Sequence, residues 1–263
     1  YGLSFDAEVD GMAGATAVSL YALSIAEHMA RFGTTIEQMA SVSVKNHENA
    51  IGNPWAHKPM TITIDDVLES PVVATPYRRL DCSLASDGAA AIVLAHPDAA
   101  PKTTRPISCI TGSGVGSDFA RLGDRAERYA FIAKRRAAYA AYAMAGVLDA
   151  ARDIDVAEVC DPFSGTEIQS LEALGLAQPG EAASALTDGA FGIESDLPVN
   201  LSGGLIGQGG APGATGIAQA VTMDRLLGGR YRDTVGSFKR GLIDVHGGVG
   251  TLAAVHVMER VEP

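Results

Sequence analysis

Asn200-Leu-Ser-Gly-Gly-Leu-Ile-Gly-Gln-Gly-Gly-Ala-Pro-Gly-Ala-Thr-Gly216, followed later by Val245-His-Gly-Gly-Val-Gly250, decides how this chain is understood. Glycines packed this densely between apolar runs let backbone N–H groups come close to a ligand, the arrangement that holds an oxyanion or a thioester carbonyl. A helix is expected to begin after Pro212 and run to Leu227. Two strands, about 241–245 and 251–258, bracket the second glycine turn.

Working outward, Val18, Tyr21, Ala22, Ile25, Met29 and Phe32 repeat at helical spacing, which predicts a helix over 14–32 stopped by Gly33. Thr34 or Thr35 caps a second helix to about Ala50, with Glu37 early against the dipole. Residues 51–80, interrupted by Pro54, Pro59 and Pro71, are expected to be an irregular excursion rather than core. The apolar run over 87–95 predicts a buried strand, 106–111 a second and 156–159 a third. An alanine-rich helix is expected at about 124–151 and another at 164–174. Strands alternating with helices, the strands apolar throughout, indicate an α/β layer with helices covering a buried sheet.

The chain has 263 residues, 47% hydrophobic and 19% charged, enough for one large domain or two smaller ones. A net charge of −11 argues against a nucleic-acid partner. One basic stretch runs against that balance: Arg121, Arg125, Arg128, Lys134, Arg135 and Arg136 form either a solvated helix face or a contact for an anionic ligand. Cys82, Cys109 and Cys160 are far apart, so neither a disulfide framework nor a zinc site is expected, and a reducing, cytoplasmic compartment fits. No apolar stretch reaches membrane-spanning length, and no signal peptide is expected.

Several strings together resemble the thiolase superfamily, in particular the sterol-carrier or lipid-transfer-protein type and archaeal-type thiolases. They are Ser43-Val-Lys-Asn-His-Glu-Asn49 with Asn53-Pro54, Leu80-Asp-Cys-Ser-Leu-Ala-Ser-Asp-Gly-Ala-Ala-Ala91, Ala157-Glu-Val-Cys-Asp-Pro-Phe-Ser164, and the two glycine motifs, in the family's order. The resemblance implies a layered α/β/α/β/α thiolase fold lacking the first part of the N-terminal domain. Residues 1–100 would be the remainder of that domain and 101–263 the C-terminal domain. It begins partway through the family's chain, which implies that the segment with the nucleophilic cysteine precedes this sequence or comes from another chain.

In that family a cysteine thiolate attacks a thioester, a second group moves protons, and two oxyanion holes stabilise the negative oxygens. Here the histidine of the Gly-His-Pro motif falls on Gly210, the Asn or His of the second motif on Cys160, and the acid/base cysteine on Val245 beside His246. Losing one oxyanion donor costs about 3–4 kcal/mol of barrier. Substitutes are therefore weighed against bland roles. His246 is either a titrating group in a glycine turn or a packing residue. Cys160 either lines the pocket or is a small buried hydrophobe. Gln208 offers an amide N–H of unknown direction. The Gly247 backbone N–H needs no particular side chain and can survive intact.

The resemblance places Ser83 near the pantetheine arm of coenzyme A, or else it caps a turn. Ser202, Gly203 and Gly204 would shape the pocket floor, and Asp161 by default caps the helix near Ser164. His28, His47 and His256 are expected to be structural, His57 to face a partner or the ligand entrance, and His96 to lie in a surface turn. No histidine has metal-ligand spacing, so no metal is expected.

Three functions follow. The first is a thiolase-type acyltransferase on acyl-CoA thioesters, with coenzyme A as substrate moiety and no permanently bound cofactor. The second is a retro-aldol lyase on acyl-CoA side chains working with a small zinc-ribbon/OB-fold (DUF35-type) protein. The third is a non-catalytic thiolase-like subunit. A homodimer or tetramer is the expected assembly.

Overall fold

A computed structural model of the protein describes residues 4–99, 105–231 and 238–262. Two helices open it, α1 (Ala17–Phe32) and α2 (Ile36–Ile51). Each starts on a threonine whose hydroxyl accepts the N–H three residues on, while that residue's side chain accepts the threonine N–H in return. The pairs are Thr16 with Ser19 and Thr35 with Gln38. These reciprocal caps fix the start of each helix.

The 51–80 excursion departs from expectation. It holds α3 (Ile64–Glu69), again capped by a threonine box between Thr63 and Asp66, and the antiparallel pair β1 (Val72–Ala74) and β2 (Tyr77–Arg78). It also buries Ile62, Val67 and Tyr77, so it is core as well as cover. A second departure is the run over 87–95, expected as a buried strand. No described residue pairs with it, and Val93 and Leu94 are 96% and 71% exposed. A continuous apolar run becomes a buried strand only when neighbours and layers cover it, and among the described residues none does.

The main sheet comprises β3 (Ile107–Ser117), β4 (Val156–Glu158), β5 (Arg240–Gly247) and β6 (Leu252–Val261), in the order β3-β6-β5-β4. Only β4 and β5 run parallel. Between β3 and β4 lie α4 (Ile132–Ala145) and α5 (Ala150–Asp153). The single long helix expected over 124–151 is thus divided, because Gly146 takes a left-handed conformation and closes α4 on the Tyr142 carbonyl. After β4 come α6 (Ser164–Ala173), α7 (Ala182–Thr187), α8 (Gly204–Gln208) and α9 (Thr215–Leu227). The helix expected after Pro212 is α9.

Helix α4 lies on β3 and β6 at backbone contact distance. A Cβ on Gly112, Gly114 or Gly116 would collide with the carbonyl oxygens of Ala141, Ala137 and Ala133 respectively. Period-two glycines on the strand thus meet period-four alanines on the helix, and both small residues are needed for the approach. The main core joins Ala133, Ala137 and Ala141 to Val255 and Val257 on the sheet and to Leu20, Tyr21 and Ile25 of α1. Gly114→Ala is expected to lower the unfolding free energy by about 1–3 kcal/mol, seen as a lower denaturant midpoint. Gly123→Ala, whose Cβ meets nothing within 4 Å, should leave that midpoint unchanged.

Candidate functional site

The first glycine-rich segment is held from beneath by a carboxylate. Asp161, expected as the cap of α6, does something else: its Oδ1 accepts the Leu205 N–H at 2.6 Å and its Oδ2 the Asn46 amide at 2.8 Å. A Cβ on Gly204, which has φ +58°, would strike that carboxylate. Asn46 Nδ2 also reaches Glu167 at 2.6 Å, and Asn200 Nδ2 donates to the same Glu167 oxygen at 2.7 Å. Lys45 Nζ lies 3.0 Å from the other oxygen of Glu167 and donates to the Val199 carbonyl. The string 43–49 therefore supplies a lysine and an asparagine that hold two buried carboxylates, a role its pattern did not reveal.

Strand β5 divides its side chains between two environments. Ile243 packs with Met223 and Leu226 of α9, and Val245 lies against Gly216. Asp244 points the other way and pairs with Lys134 at 2.6 Å, both side chains fully buried. Its other oxygen accepts the Cys160 N–H at 3.0 Å, bracing the segment that leads into α6. His246 shares this second face: its ring stacks on Phe131 at 5.5 Å and its Nε2 lies 2.7 Å from the Tyr21 hydroxyl. That hydroxyl also donates to the Gly248 carbonyl at 2.7 Å.

A cavity of about 910 Å³ opens between the α9 side of the sheet, the start of α9 and the exposed segment near Leu94. Its walls are mostly apolar, with Leu205, Ile217 and Val245 among them, and glycine backbone enters at Gly210, Gly216, Gly247 and Gly248. Helix α9 begins at this wall, so the positive end of its dipole faces the void. The Gly248 N–H has no hydrogen-bond acceptor among the described residues. Backbone donors and a dipole end of this kind suit a developing negative oxygen.

Of the residues singled out from sequence, Ser83, Cys160, His246 and Gly247 line this cavity. Ser202, Gly203, Gly204 and Gln208 do not. Ser202 turns away and bonds Glu158 through its hydroxyl at 2.5 Å and its N–H at 2.9 Å. Gln208 directs its side-chain oxygen to the Asn53 amide at 3.1 Å. Gln219 and His256 were not expected in the site, yet both line the cavity, and Gln219 Oε1 and His256 Nδ1 are buried with no partner among the described residues. Alternation along β6 was the available signal for His256, since it shares a face with Ala254 and opposes Ile243.

The basic stretch is consumed within the chain. Arg121 pairs with Asp6 and Asp124, Arg128 with Glu27, Arg135 with Glu127 and Lys134 with Asp244. Arg125 donates to the Phe119 and Val249 carbonyls, and Arg136 to the Ser117 carbonyl. Among the described residues, no group of three or more His, Cys, Asp or Glu is placed to hold a metal ion, and no helix is long and apolar enough to cross a membrane.

Burial governs titration here. It pushes the Cys160 thiol up to about 12, and the neighbouring Asp244 adds to the effect, so this sulfur stays protonated at neutral pH. Cys82 is likewise raised to about 12 by burial and by Asp81. Burial, then the Lys134 and Arg125 cations, hold His246 well below the ordinary imidazole range, so its ring is neutral at pH 7. Asp161 is raised well above the carboxylate range by burial and by the nearby Glu167. Glu158, 1% exposed, rises from the ordinary 4.5 to about 7, chiefly by burial. Between those two values the folded chain retains a proton that the unfolded chain has shed, so stability falls as pH rises through the window and levels off above it. The whole span is worth about 3 kcal/mol, and Glu158→Gln should flatten it in denaturation curves collected from about pH 4.5 to about pH 8.

Comparison with known proteins agrees with this architecture. The family described as "Thiolase C-terminal domain-like" matches residues 114–260. The chain is 42% identical over 256 residues to an acetyl-CoA acetyltransferase of Methanothermobacter thermautotrophicus, covering 97% of this chain and 66% of that protein. It is 32% identical over 203 residues to sterol carrier protein 2 of Bos taurus, covering 75% of this chain and 37% of that protein. Among solved structures, the "Ltp2-ChsH2(DUF35) aldolase" superposes with a TM-score of 0.81 at 24% identity, over 97% of this chain and 68% of that chain. The chain thus spans slightly less than two thirds of its archaeal relative, and the family model matches more than half of its residues: it belongs to the thiolase family.

Proposed function

We propose that the full-length protein is a thiolase-type acyltransferase that makes or breaks a carbon–carbon bond beside a coenzyme A thioester. The observation that carries this reading is the mostly apolar cavity in which glycine backbone from two separate segments meets the start of α9 beside a neutral histidine. An acyl chain fits such walls, and the Gly247–Gly248 backbone with the α9 dipole suits the oxygen that gains charge. The resemblance to an acetyl-CoA acetyltransferase supports coenzyme A as the substrate moiety, and the proposal includes no permanently bound cofactor.

In this reading His246, neutral and held in the glycine turn, accepts a proton from the incoming thiol and returns it to the departing enolate in thiolysis; in the reverse condensation it takes the α-carbon proton and returns it to the departing thiolate. Cys160 lines the wall as an uncharged thiol and is not the nucleophile; Cys82 is equally unsuited, and Cys109 lies on β3. In this proposal the nucleophilic cysteine comes from a preceding segment or from another chain, as the family resemblance implies. Ser83 at the cavity rim contacts the pantetheine arm, while Ser202, Gly203, Gly204 and Gln208 act indirectly by shaping the glycine segment. A cytoplasmic homodimer or tetramer completes the proposal.

A second reading is favoured by the loss of the family's usual side chains at Gly210, Cys160 and Val245. Retro-aldol cleavage needs a base and an oxyanion site but no thiolate, and a neutral His246 with the glycine turn supplies both. A small zinc-ribbon/OB-fold (DUF35-type) partner belongs with that reading, since the superposed aldolase carries DUF35 in its name. The two are separated by product: thiolysis converts acetoacetyl-CoA and free CoA to two acetyl-CoA, whereas the lyase releases an aldehyde or ketone without consuming CoA. His246→Ala is expected to slow thiolysis by a factor of about 100 or more. An unchanged rate would remove His246 from the chemistry, whereas no turnover of either kind by the wild-type protein would leave a non-catalytic thiolase-like subunit as the better description.

A further inference from the structure

Tyr21, on α1, is fully buried and stands outside every motif that suggested the site. Its ring packs on Phe163 with centroids 4.9 Å apart. A tyrosine hydroxyl owns one hydrogen, and here the Gly248 carbonyl receives it. The His246 Nε2 atom, 2.7 Å from the same oxygen, must therefore carry its own hydrogen and donate it to Tyr21. That leaves the imidazole lone pair on Nδ1, which is closed off from solvent and has no partner among the described residues. Stacking on Phe131 keeps the ring from turning.

We propose that Tyr21 is a positioning residue that fixes His246 as its Nε2–H tautomer, leaving the lone pair on Nδ1, and ties that ring to the glycine turn through the Gly248 carbonyl. One oxygen thereby sets both the direction of the base and the place of the backbone donors. The inference rests on the reading of His246 as the acid/base group. It goes beyond that reading by naming the tautomer and the group that selects it.

The test uses the full-length protein, ¹⁵N-labelled at histidine, with His246→Ala to assign the resonance. The wild-type spectrum should show His246 protonated at Nε2. Tyr21→Phe, which keeps the aromatic packing on Phe163, should mix the two tautomers. It should also lower kcat for acetoacetyl-CoA thiolysis about five- to tenfold with KM unchanged. A wild-type His246 protonated at Nδ1, or a Tyr21→Phe protein with unaltered spectrum and kcat, overturns the proposal. Undiminished turnover by His246→Ala is a different failure: it ends the catalytic reading while the spectra still decide whether Tyr21 sets the tautomer.

Discussion

The position of the Asp161 carboxylate constrains everything above it. It fills the space beside Gly204 and takes the N–H of Leu205, so the backbone must turn at that point and must do so without a side chain. A lone buried carboxylate is costly, and two things relieve the cost. Asn46 donates to it, and its elevated affinity for a proton lets it shed charge. Glu167 keeps Lys45 beside it and receives two amide donors. The glycine-rich segment is thus a backbone loop clamped by nonlocal hydrogen bonds, which gives the cavity rim a fixed shape.

The sheet then separates two kinds of chemistry. On the α4 side, close approach of small residues excludes water, and the Lys134–Asp244 pair is buried completely. On the α9 side the same strand opens to a mostly apolar void. His246 belongs to the first environment by its ring and to the second by its place in the wall. Burial and the two cations on the closed side keep it neutral, and so available as a base. An imidazole free in water would be more basic but partly protonated at neutral pH.

Gln219 and His256 show how far the cavity differs from an all-apolar slot. Each has a buried polar atom without a partner among the described residues, beside mostly apolar walls. Natural structures rarely leave such atoms unpaired. The uncovered run near Leu94 borders the same space, so apolar surface and open polar atoms concentrate on one side of the chain.

The sequence by itself determined the features that depend on near neighbours. Thr35 and Gln38 cap α2 from three residues apart, Pro212 precedes α9, and the two glycine motifs end at a helix and a hairpin, as their composition predicts. Tertiary structure decided what depends on distant partners. The 87–95 run has strand composition but no pairing strand, so it stays exposed. Asp161 has the look of a local cap, yet it serves α8, about forty residues downstream, because the fold brings the Leu205 N–H within 2.6 Å of its carboxylate. Tyr21 reads as one more apolar helix position until α1 is laid against β5, 225 residues away in sequence. Local hydrogen bonds are fixed by spacing along the chain; these others are fixed by which surfaces meet.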